Sequence, residues 1–167
     1  MKILFSFLVL SCLMSGCRKN DFILDYSGIK PIVIIPNANW PGISEYDLQP
    51  VDSLFGVKEL KVYAKVSYAF PLEKAVKVTF VENQDMLATY NNKWGTGYKA
   101  LPAAAYSISS YDVTIAAGTQ QAFIPVTIYP EKFNGNDDYL IAFTISAAGE
   151  EMIASNAKTI VFTLKGQ

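Results

Sequence analysis

The chain has 167 residues, 51% hydrophobic and 17% charged, with 14 Lys and Arg against 15 Asp and Glu. That balance excludes whole-chain disorder, and a net charge of −1 offers no basic face to a nucleic acid. Histidine is absent, which removes Ser-His-Asp and Cys-His catalytic arrangements and every metal site built on imidazole.

In chain order, Lys2 gives a short positive start, and Ile3 to Met14 is apolar apart from Ser6 and Ser11. This is a signal-peptide pattern; a permanent span needs about 20 apolar residues. The run Leu13-Met14-Ser15-Gly16-Cys17 resembles a bacterial lipobox, with Met14 where Leu is preferred. The resemblance implies a leader over 1–16, acylation of Cys17 and an outer-membrane lipoprotein, with the surface or periplasmic face left open. Cysteine arithmetic agrees. Of the two Cys, Cys12 lies in the leader, so Cys17 is expected to be the only thiol of the mature chain, and no disulfide forms within it. The alternative is an ordinary secreted protein.

Residues 17–30, opening with Arg18-Lys19-Asn20-Asp21, read as a tether, and residues 31–167 as a single domain that needs no metal or disulfide staple. Pro31 to Pro36 is a short β-branched strand. Leu60, Val62, Ala64, Val66, Tyr68 and Phe70 share one parity, and Val76, Val78 and Phe80 alternate next, with Pro71-Leu72-Glu73 suggesting a tight hairpin between the runs. Asp85 to Asn92 suits one short helix with Asp85 as N-cap. Val113 and Ile115 lead to a turn at Ala117-Gly118-Thr119. Ala122, Ile124, Val126 and Ile128 follow, and Pro125 on the opposite face marks an edge strand. Tyr139 to Ile145, a turn at Ala148-Gly149-Glu150, and Ile160 to Leu164 close the series. The pattern predicts an all-β, immunoglobulin-like β-sandwich of seven or eight antiparallel strands, without the Trp and disulfide marks of antibody domains.

Four stretches together resemble a domain of unknown function from Bacteroidetes surface lipoproteins. They are Val81 to Asn91, Leu101-Pro102-Ala103-Ala104-Ala105-Tyr106, Val113 to Gly118, and Tyr139 to Gly149. The family resemblance implies a β-sandwich that precedes family-18 endoglycosidases or carbohydrate-binding modules. Members usually continue into a second module; here the chain stops at Gln167, so a glycan-processing partner is expected to be a separate polypeptide. Arg18-Lys19-Asn20-Asp21 also departs from the acidic run found after the acylated Cys in many surface-exported relatives.

The remaining chemistry is sparse. Asp137-Asp138 and Glu150-Glu151 are sequence neighbours whose side chains point apart on extended chain, unlike the facing carboxyls of a glycosidase. A small carboxylate hydrolase is therefore set aside, and the expectation is no enzyme, no cofactor and no metal. Asn134-Gly135-Asn136-Asp137-Asp138 could offer oxygen ligands to calcium but reads better as a strand connection. Trp94 and Tyr98, in Asn91-Asn92-Lys93-Trp94-Gly95-Thr96-Gly97-Tyr98, are either a glycan-stacking platform or a satellite of the core. Asp52-Ser53-Leu54 resembles the Bacteroidetes O-glycosylation acceptor, with Ser53 as its hydroxyl. The sequence thus points to a membrane-anchored accessory, spacer or assembly module in glycan handling, with direct carbohydrate binding as the alternative.

Overall fold

The computed structural model describes residues 28–40 and 53–166. The expected leader, Cys17 and the first part of the tether lie outside them. The strands are β1 (Ile32–Ile34), β2 (Glu59–Ser67), β3 (Val76–Glu82), β4 (Lys99–Ala100), β5 (Tyr106–Ile108), β6 (Asp112–Ile115), β7 (Gln121–Ile128), β8 (Tyr139–Ala147), β9 (Met152–Ile153) and β10 (Thr159–Leu164). Helix α1 (Asp85–Trp94) separates β3 from β4.

The strands form two sheets. The first runs β5-β7-β2-β1-β9; the second runs β10-β8-β3-β6, with β4 also pairing β8. The β-sandwich expected from period-two patterning is present, with ten strands among the described residues in place of seven or eight. The additions, β4, β5 and β9, are two or three residues long, too short for alternation to register. Two pairings, β1 with β9 and β4 with β8, are parallel, against an all-antiparallel expectation.

The core lies between the sheets. Leu60, Val62, Ala64 and Val66 of β2 pack in one cluster with Val78 and Phe80 of β3 and Ile141, Phe143 and Ile145 of β8. Removing such side chains from water, at about 1.5–3 kcal/mol each, is the main drive to fold. Phe70 departs from the expected inward set: β2 ends at Ser67 and Phe70 is 62% exposed. Pro71-Leu72-Glu73 does not close a hairpin either. β2 and β3 belong to different sheets, so this segment is a corner that crosses the sandwich. It is fastened to a second corner, β6 to β7, by the N–H of Gly118 donating to the Leu72 carbonyl at 2.9 Å. Gly118 has φ 76°, a left-handed conformation that glycine adopts without Cβ strain. Pro125 meets the edge expectation in a local sense. β5 pairs β7 only from Val126 to Ile128, so among the described residues β7 has no partner on that side at Pro125 and no ladder bond is lost there.

β8 is buried on both faces. Tyr139, Ile141, Phe143 and Ile145 face the main core, while Leu140 and Ala142 pack with Val161 under Met86 and Tyr90 of α1. The helix forms because Met86, Tyr90 and Trp94 recur at four-residue spacing, giving one apolar stripe. Asp85 in its first turn and Lys93 in its last suit the helix dipole. Asp85 is not the N-cap; Gln84 holds that position and makes no side-chain capping bond.

Candidate functional site

α1 interrupts what would otherwise be one strand edge along β8. The N–H of Asn83, just past β3, donates to the Ala142 carbonyl at 2.9 Å, and the N–H of Leu101, just past β4, donates to the Leu140 carbonyl at 3.2 Å. Two clefts open beside β4. One lies between the loop after α1 and the turn before β8; the other fills the notch between β3 and β4.

The first cleft brings together two segments that the sequence singled out separately. It is lined by Thr96, Gly97 and Tyr98 on one wall and Gly135, Asn136, Asp137 and Asp138 on the other, with a volume of about 410 Å³. The walls are joined by Lys99 Nζ, 2.8 Å from Asp137 Oδ1. Hydrogen bonding to Asp137 and its negative charge raise the Lys99 pKa. Asn134 Nδ2 donates to Asp137 Oδ2 at 3.0 Å, so this carboxylate is engaged on both oxygens. Asp138 Oδ1 accepts the N–H of Gly166 at 3.3 Å. Among the described residues, no group of three or more Asp, Glu, Cys or His is gathered as a metal site.

Trp94 and Tyr98 do not stand side by side on this cleft. Tyr98 lines it; Trp94 is half-buried at the end of the helix cluster, 6.3 Å from Tyr90 ring to ring. Tyr98 also touches Tyr90, at 5.8 Å, and its hydroxyl lies 3.0 Å from Ser53 Oγ. The Lys93 ammonium sits over the Trp40 ring at 4.4 Å and the Trp94 ring at 5.0 Å, a cation–π arrangement. Asn91 organises the loop: Oδ1 accepts from the Thr96 hydroxyl at 2.8 Å and the Tyr98 N–H at 3.0 Å, while Nδ2 donates to the Tyr98 carbonyl at 2.8 Å. The sequence marked Asn91 as part of the family-like stretch and of the aromatic loop, but not its role in ordering that loop, which depends on contacts five and seven residues on. Cys17 lies outside the described residues.

The second cleft, of about 300 Å³, is lined by Glu82, Asn83 and Gln84, by Tyr106, and by an apolar floor that includes Leu87 and Leu101. Glu82 is its central charge. Tyr106, from the first sheet, donates its hydroxyl to Glu82 Oε2 at 2.9 Å, and Tyr111, before β6 in the second sheet, donates to Glu82 Oε1. Burial, then the bond to Glu82, pushes the Tyr106 pKa up to about 12, and the same causes raise that of Tyr111. Neither tyrosine was assigned a site role from sequence, because β5 is too short to show which way Tyr106 points.

No curated protein matches the chain. Solved structures with the same fold include a candidate carbohydrate-binding protein from Bacteroides ovatus, 14% identical with a TM-score of 0.61, covering 81% of this chain and 37% of that one. A two-domain protein of unknown function from Bacteroides fragilis is 15% identical with a TM-score of 0.58, covering 83% and 46%. EndoBT-3987 from Bacteroides thetaiotamicron, solved with a Man5GlcNAc product, is 18% identical with a TM-score of 0.54, covering 66% and 27%. The chain thus spans less than half the length of each of these proteins. Residues 33–152 match the model of a family described as an N-terminal domain. With that match over most of its length and the β-sandwich in place, the chain belongs to this family of N-terminal domains.

Proposed function

We propose that the protein is an outer-membrane lipoprotein, anchored through acylated Cys17, whose β-sandwich acts as a non-catalytic accessory, spacer or assembly module in glycan handling. The observation that carries this reading is the match of residues 33–152 to an N-terminal domain family. Support comes from the same fold in EndoBT-3987 and in a candidate carbohydrate-binding protein. The anchor rests on the Leu13 to Cys17 run. The non-catalytic part is supported by the prominent carboxylates, Asp137 and Glu82, each of which is held on both oxygens by neighbouring side chains. Purification of the tagged full chain from cross-linked membranes of a Bacteroides host tests the reading. Enrichment of glycosidases or glycan-import proteins is expected, and recovery of the chain alone would overturn the accessory role.

A second reading, direct carbohydrate binding, is favoured by the cleft where Tyr98 faces Asn136 and Asp138. An aromatic ring opposite amide and carboxylate groups suits a sugar, whose C–H faces pack on rings while its hydroxyls hydrogen-bond. Binding of the full chain on a glycan array separates this reading from a purely spacing role.

A further inference from the structure

We infer that the notch between β3 and β4 is a binding site for one neutral sugar ring or a polyol of similar size, recognised at its polar edge by Glu82 and Gln84 and seated on Leu87 and Leu101. The inference deepens the carbohydrate-binding reading and rests on it, but assigns a site away from Trp94 and Tyr98.

Three features carry it. The first is size and form. A cavity of about 300 Å³ lies at the small end of ligand pockets, enough for one ring and too little for a branched glycan. The second is the preparation of Glu82. A carboxylate has about four acceptor positions. The hydroxyls of Tyr106 and Tyr111 take one on each oxygen, fixing the group between two sheets and leaving acceptor capacity for ligand hydroxyls. A charged acceptor already held in position loses little freedom when a ligand arrives. The third is the division of polarity. Asn83 spends its amide nitrogen on Thr144 Oγ1, 3.0 Å away, which leaves its carbonyl oxygen as an acceptor. Gln84, exposed at the start of α1, makes no capping bond and has both a donor and an acceptor to offer. Leu87 and Leu101 supply the apolar side.

This chemistry selects against other small ligands. An anion would meet Glu82 in the cleft and Asp85, the first residue of α1. An alkylammonium would give up its hydration against a largely apolar floor for one carboxylate whose oxygens already accept two hydrogen bonds. A neutral hydroxylated ring satisfies the remaining acceptors at lower desolvation cost.

The test is a titration of the isotope-labelled full chain with glucose, mannose, galactose and N-acetylglucosamine, following backbone amide signals. At least one sugar is expected to shift residues 82–84, 87 and 101, saturating at about millimolar concentration. Glu82→Gln is expected to weaken that sugar by about tenfold or more. Should Glu82→Gln lose its fold, Gln84→Ala at an exposed position is read instead, with about threefold weakening expected for a lost neutral hydrogen bond; unchanged affinity overturns the inference. Shifts confined to residues 96–98 and 135–138 would overturn this site while leaving direct carbohydrate binding standing. No shift with any of the four sugars overturns the site as well, and a silent glycan array would then remove the wider reading.

Discussion

The hydroxyls of Ser53 and Tyr98 lie 3.0 Å apart, so the residue marked as a glycosylation acceptor and one marked as a glycan contact are partners of each other. Ser53 is half-buried there. The next residue is fixed to the last strand: Leu54 donates its N–H to the Thr163 carbonyl at 2.8 Å and accepts from the Lys165 N–H at 2.9 Å. A hexose on Ser53 Oγ would remove the serine proton and crowd the Tyr98 hydroxyl. If Ser53 is modified, intact-mass measurement on protein from a Bacteroides host will show a hexose-scale addition that Ser53→Ala abolishes. Tyr98→Phe should then cost about 1 kcal/mol in unmodified protein and close to nothing in the modified form. An unmodified native mass removes Ser53 as an acceptor.

Glu82 ties Tyr106 and Tyr111 together, and the tie has a pH signature. Burial disfavours either phenolate, and ionisation would also break the bond to Glu82 and place a second negative charge beside it, so the raised value near 12 for Tyr106 means the folded state holds its proton more tightly than the unfolded chain. The resulting stabilisation is complete below about pH 10, the ordinary tyrosine value, and is lost as pH rises toward 12. Ultraviolet titration should show Tyr106 and Tyr111 as a late-ionising component that Tyr106→Phe combined with Tyr111→Phe removes. Glu82→Gln should bring them only part of the way back, since burial is the larger cause. A titration curve left unchanged by the double substitution would contradict the clamp.

Val78 is fully buried on β3, opposite Val113 of β6. Val78→Asp would bury a carboxylate without a partner, a cost of several kcal/mol against a total stability of about 5–15 kcal/mol. Loss of the cooperative thermal transition is expected, read by circular dichroism. A melt at the wild-type temperature would mean that this face of β3 does not point inward.

Much of this architecture was legible in the residues. Leu60, Val62, Ala64 and Val66 alternate in sequence and are buried in the structure, because a strand with one wet face prints its geometry at period two. A helix over Asp85 to Asn92 was legible too, although its expected N-cap, Asp85, lies inside it and it runs on to Trp94. Sheet membership was not. Pro71-Leu72-Glu73 marks a break, but the same break serves a hairpin or a crossing between sheets, and only long-range pairing decides. β8 hid its second buried face for a related reason: Leu140 and Ala142 look like filler until α1 packs on them. The Glu82 cluster was invisible because Glu82 and Tyr106, although each lies in a stretch that carries the family resemblance, meet each other and Tyr111 only through long-range pairing.

Membrane attachment is tested at Cys17. Cys17→Ser removes the thiol to be acylated, and the full chain should move from the detergent phase to the aqueous phase or accumulate with its leader uncleaved. Attachment of the wild type should survive washing, since more than one acyl chain is needed for a durable anchor. A serine variant that stays in the detergent phase at the mature mass would overturn the lipoprotein reading.

Trp94 separates packing from recognition. Its ring contacts Tyr90 edge-on and lies under the Lys93 ammonium, and its indole nitrogen is buried with no hydrogen-bond partner among the described residues. If its work is packing, Trp94→Ala should cost about 2–4 kcal/mol, below the range for a fully buried Trp because this one is half-buried. Trp94→Phe keeps an aromatic ring against Tyr90 and gives up no hydrogen bond, so it should cost only about 1 kcal/mol. If its work is stacking on a sugar, both variants should melt close to wild type, and Trp94→Ala should lose glycan binding. The contacts with Tyr90 and Lys93 favour the first outcome. Urea denaturation of the three proteins, with the slope checked for constancy, decides between them: equal stabilities would assign Trp94 to a ligand, and a graded loss from Trp to Phe to Ala would assign it to the fold.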